Sequence, residues 1–88
     1  MHAELEDWKN GWHGLRLSLL PQEISRLIEL LQDLQQDPEQ HFHISSDYSA
    51  ESGLGDIEIS IATDSEQHNM SLSGLALAPS TDKPALGA

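Results

Sequence analysis

The sequence predicts an α+β fold in the order β-α-β-β-β, one amphipathic helix packed on one face of a four-stranded, mostly antiparallel sheet. Three observations carry that expectation. One stretch repeats its apolar residues at helical spacing; several short stretches alternate apolar and polar residues; and glycine, proline and acidic turn residues separate them.

The opening segment, residues 1–13, is left unassigned. Leu5, Trp8 and Trp12 fall at helical spacing, but Asn10-Gly11 and Gly14 interrupt the stripe, and the same residues suit an edge strand. Two tryptophans rarely sit idle on a surface, so at least one is expected over the core or an interface. Gly14 to Leu20 reads as the first strand, because Leu15, Leu17 and Leu19 alternate with Arg16 and Ser18. Pro21 ends that strand and opens a helix, proline being well tolerated at the first helical position. Between Pro21 and Gln36, the residues Ile24, Leu27, Ile28, Leu31 and Leu34 form one apolar face, with Leu30 at its edge. Asp37-Pro38 stops the helix, since the residue before proline is pushed out of the helical region.

Gln40 to Ser46 is the second strand, with Phe42 and Ile44 on one face and His41 and His43 on the other. A polar loop, DYSAESGLG, follows. Asp56 to Thr63 is the third strand, placing Ile57, Ile59 and Ile61 inward and Glu58 and Ser60 outward. Asn69 to Ala78 is the fourth, with a change of phase at Gly74 that suggests a bulge. The inward set is completed by Met70 and Leu72. The domain is therefore expected over residues 14–78, followed by a disordered tail at 79–88. If the first two strands share a sheet, the helix between them implies a parallel, right-handed crossover.

Composition narrows the function classes. Eighty-eight residues make one small domain with a thin core. The chain has no cysteine, so neither a disulfide nor a thiolate metal site reinforces it. Its opening residues lack the basic start and apolar run of a signal peptide, and no apolar stretch approaches the ~20 residues that span a bilayer. A cytoplasmic location is expected. Fifteen Asp and Glu against four Lys and Arg give a net charge of −11. A field of that sign repels nucleic-acid phosphates and anionic lipid heads, and attracts a basic protein. No nucleic-acid or membrane partner is expected. A homodimer would bury further area, through exposed strand edges or Leu75 and Leu77.

Catalytic patterns are missing: no GxSxG elbow, no cysteine nucleophile and no lysine beside a phosphate-type glycine loop. Gly53-Leu54-Gly55 is too short for a dinucleotide fingerprint. Asp56 and Glu58 share a strand face, so paired-carboxylate chemistry is conceivable, but a domain this small encloses no pocket for it. His41-Phe42-His43 is the strongest chemical pattern. Alternate residues of a strand point the same way, so both imidazoles can reach one metal ion, and Glu58 on the next strand could be a third ligand. The plainer reading is two half-exposed histidines hydrogen-bonded to Ser or Glu. Asp47, Ser49, Glu51 and Glu58 have the spacing of a calcium loop, but Ser52 replaces its glycine and the flanks are strands.

The runs His41-Phe42-His43-Ile44-Ser45-Ser46-Asp47 and Gly55-Asp56-Ile57-Glu58-Ile59 carry a resemblance. The layout resembles a family of small bacterial immunity proteins against polymorphic toxins, immunity family thirty-two. Those look like a leading Gly-Leu, a Leu-rich amphipathic helix, an H-x-H-[IL] strand and a Gly-x-x-Glu-Leu-Ile strand. The resemblance spans Gly14-Leu15 to Ile61, and this chain departs from it in the DYSAESGLG insertion and the added strand from Asn69. It implies a toxin as partner and assigns no contact residue. The sequence thus predicts a non-enzymatic, acidic protein-interaction module without a cofactor. The alternatives are a small metal-binding protein holding one divalent transition metal such as zinc on His41, His43 and Glu58, and an accessory homodimer.

Overall fold

The structure, a computed structural model, describes residues 1–73. It contains four strands and one helix in the order β1 (His2–Asp7), β2 (His13–Ser18), α1 (Pro21–Gln36), β3 (His41–Ser45) and β4 (Asp56–Ser60). The strands form two separate two-stranded antiparallel sheets, β1 with β2 and β3 with β4.

This corrects the expected four-stranded sheet with a helix packed on it. The opening segment supplies the strand that reorganises the fold. His2–Asp7 alternates Ala3 and Leu5 with His2, Glu4 and Glu6, and pairs Leu5 with Leu15 and Ala3 with Leu17. The connecting turn has the required chemistry. Lys9 and Gly11 take positive φ (59° and 96°), the Asp7 carboxylate accepts the Lys9 N–H, and Asn10 Oδ1 accepts the Trp12 N–H. Closing this short loop costs less chain entropy than a helical crossover, which favours pairing of β2 with its neighbour in sequence. β2 and β3 do not pair, so the expected parallel crossover is absent, and the order is β-β-α-β-β. Replacing Gly11 by Val forces a β-branched residue into the left-handed region. A loss of about 1–2 kcal/mol is expected, read as a lower midpoint in urea unfolding.

The helix matches its expected bounds. Pro21 occupies its first turn, Glu23 Oε1 accepts the Leu20 N–H at 2.9 Å, and the Asp37 N–H closes on the Asp33 carbonyl before Pro38. Glu23 Oε2 also meets the Met1 ammonium at 2.9 Å. Its carboxyl is held below the ordinary value, first by the Leu20 N–H and then by that ammonium. A lowered folded-state pKa stabilises the fold above the unfolded value and loses that effect as pH falls through the folded one. Glu23→Gln is therefore expected to lower Tm at neutral pH, with the difference from wild type fading below the ordinary value of 4.5.

The apolar faces are unevenly covered. Leu34, 6% exposed, is the one buried side chain among the described residues. Leu27 and Leu30 are half-buried beside it, and a cleft lined by Leu30, Leu34 and Phe42 marks where the end of α1 meets β3. The less exposed line is therefore Leu27, Leu30 and Leu34; Ile24, Ile28 and Leu31 of the expected stripe stay open. On β3 and β4 the alternation holds: Phe42, Ile44, Ile57 and Ile59 are half-buried and face each other across the register as Phe42–Ile59 and Ile44–Ile57. Leu17 and Leu19 are half-buried, whereas Leu15 and Ile61 are exposed. Of the expected fourth strand, residues 69–73 form none, and Met70 and Leu72 are exposed. Residues 74–78 and the expected tail lie outside the described residues.

Candidate functional site

Pleating of the β3–β4 hairpin sends Phe42, Ile44, Ile57 and Ile59 to one face, so His41, His43, Ser45, Asp56, Glu58 and Ser60 share the other. In the register His43 stands opposite Glu58, His41 opposite Ser60, and Ser45 opposite Asp56. The close contacts combine direct and diagonal neighbours. His43 Nδ1 lies 2.8 Å from Asp56 Oδ2, while His43 Nε2 lies 3.5 Å from Glu58 Oε1. His41 Nε2 is 4.0 Å from the same Glu58 oxygen. The two imidazoles meet edge to face, with centroids 5.0 Å apart and planes at 80°. Thus the structure brings together all three residues that the sequence marked as metal candidates. Ligand atoms from His41, His43 and Glu58 lie within 4.8 Å of one another.

Asp56, expected on the same face as Glu58, joins the site through a contact with His43 that the sequence did not foretell. Its Oδ2 meets His43 and its Oδ1 accepts a hydrogen bond from Ser45 Oγ at 2.9 Å. The His43 contact, and after it the Ser45 hydroxyl, hold the Asp56 carboxyl below its ordinary value. The link to His43 is diagonal across the ladder, so it depends on the register, which alternation along one strand does not reveal.

By composition Ser45, His43 and Asp56 are a serine–histidine–aspartate set, but the wiring differs. Ser45 donates to Asp56 rather than to His43, so the imidazole is not positioned to take the serine proton. The calcium-loop spacing is not assembled either. Asp47 Oδ1 accepts the Ser49 N–H, and Glu58 turns toward the two histidines. The Asp47 carboxyl is held below its ordinary value mainly by its hydrogen bond with Ser49.

The second feature lies on the N-terminal hairpin and the helix. Leu5 and Leu15 face each other across β1 and β2 at 59% and 48% exposure. Trp12 is 71% exposed at the turn, and Ile24, Ile28 and Leu31 are open along α1. Trp8 lies against Gly14, where an added Cβ would meet its ring at 2.9 Å. On the other face of the hairpin, Arg16 is engaged by Glu4 and Glu6 at 3.6 and 3.3 Å. Arg26 is engaged by Glu29 at 3.2 Å. Both arginines are thus paired within the chain, and the acidic excess of −11 dominates its field.

Comparison with protein-family models, curated proteins and solved structures finds no match for this chain. No helix among the described residues is long and apolar enough to cross a membrane.

Proposed function

We propose that this chain is a non-enzymatic protein-interaction module of the cytoplasm that binds a basic protein surface. The observation that carries this reading is the pairing of open apolar side chains, Leu5, Trp12 and Leu15, with a net charge of −11. Exposed aromatic and aliphatic groups supply contact area that is released from water on binding, and the acidic field selects a basic partner and speeds its approach. A toxin neutralised by its immunity protein is one partner of this kind, as the family resemblance implies.

The test is binding of the untagged chain to a panel of purified basic proteins, alongside acidic proteins matched in size. Binding confined to basic members is expected. Equal binding to both sets, or to neither, contradicts the proposal.

A second reading, an accessory homodimer, is favoured by the open residues of α1, Ile24, Ile28 and Leu31. Analytical ultracentrifugation separates it from the first: a self-associating species that excludes the basic partner supports the dimer.

A further inference from the structure

We propose that His41, His43 and Glu58 form a three-donor site for one divalent transition-metal ion of the zinc type, with Asp56 fixing the tautomer of His43. The site stands beside the proposed partner surface and does not depend on it.

Nδ1 of His43 sets the tautomer of the ring. A carboxylate oxygen 2.8 Å away accepts a hydrogen bond, so the proton of the neutral ring resides on Nδ1. The lone pair is left on Nε2, and Nε2 faces Glu58 Oε1 at 3.5 Å. His41 brings its own Nε2 to within 4.0 Å of that oxygen. Electron-rich atoms that converge in this way repel one another until a cation stands between them.

The spacing suits a small ion. Ligand atoms around tetrahedral zinc, at bonds of about 2.0–2.1 Å, lie about 3.3–3.4 Å from each other. His43 and Glu58 are already near that span, whereas His41 lies farther out, with the three ligand atoms within 4.8 Å of one another, so its side chain has to turn inward on binding. Two imidazole donors favour zinc, nickel or copper over calcium and magnesium, which take oxygen donors. Asp56, itself held by Ser45, supplies the carboxylate–histidine support typical of metal-ligating imidazoles. Three protein donors on an exposed strand face leave a fourth position for water or an incoming ligand.

The test is calorimetric titration of the untagged full chain with zinc chloride after removal of metal by EDTA, joined to nitrogen NMR of the histidine rings. One zinc per chain is expected, with the Nε2 signal of His43 shifting while Nδ1 keeps its proton. His41→Ala and His43→Gln each abolish binding. Asp56→Asn weakens it about 10–100-fold while circular dichroism is unchanged. His2→Ala and His68→Ala leave it intact. No zinc uptake by the wild type, uptake that survives His43→Gln, or metallation at Nδ1 would overturn the site. Asp56→Asn with wild-type affinity would remove the tautomer-fixing role.

Discussion

Leu34→Ala is expected to lower Tm by at least about 8 °C. Leu34 is the one buried side chain among the described residues, at 6% exposure, and it lies where the end of α1 meets Phe42 of β3. Truncating a buried leucine costs about 2–5 kcal/mol, through lost transfer energy and the cavity left behind. Each kcal/mol moves the midpoint of a domain this size by about 4–8 °C. A small domain has little stability in reserve, so a substantial unfolded fraction at physiological temperature follows. Leu31→Ala on the open side of the same helix is the control. It removes the same atoms from a 42% exposed position, and its effect should be much smaller. Equal losses at the two positions would mean that Leu31 is covered in solution, which points to the homodimer.

The converse result is expected on the N-terminal hairpin. Changing Leu5 and Leu15 together to Ser removes one cross-strand pair that stands largely in water. The stability cost should be about 1 kcal/mol, the scale of an exposed strand pair. Binding of the basic partner should fall much further. The few fully desolvated anchors of an interface contribute 2 kcal/mol or more, about a 30-fold change in Kd. Trp12→Ala belongs to the same group, because tryptophan is enriched among such anchors. Variants that keep the far-ultraviolet circular dichroism of the wild type and stay folded at the assay temperature, but lose the partner, locate the interaction on this hairpin. Variants that bind as wild type does would move it elsewhere.

The contrast between Leu34 and Leu15 also shows what the sequence could reveal. The helix was legible because Pro21 and Asp37-Pro38 bound it by local sterics, and because its apolar period is intrinsic to the element. Which side of that helix would be covered was not, since Leu30 and Leu31 have similar claims until the neighbouring hairpin is placed. β3 and β4 were legible from alternation alone, and the shared face of His41, His43 and Glu58 followed from the two-residue period. β1 was hidden. Trp8 and Trp12 are four apart and suggest a helix, so Asn10-Gly11 reads as an interruption when it is the turn of a hairpin. Once β1 is recognised, β2 has a partner close in sequence on one edge, and the two hairpins form separate sheets rather than joining through its other edge. Alternation identifies a strand's faces and says nothing of which edge it will join. The role of Asp56 was beyond reach for the same reason: its contact with His43 depends on pairing between strands.

Whether the acidic charge draws a basic partner is open to one direct measurement. Association rates of the chain with a basic protein from the binding panel would be followed by stopped-flow tryptophan fluorescence as sodium chloride rises from about 0.05 M to about 0.5 M. Over that range the screening length falls from about 14 Å to about 4 Å. An electrostatically steered encounter then slows by about tenfold or more, while dissociation changes far less. That pattern is the expected result. An association rate that stays level across the salt series would contradict the claim that this acidic surface selects its partner by charge.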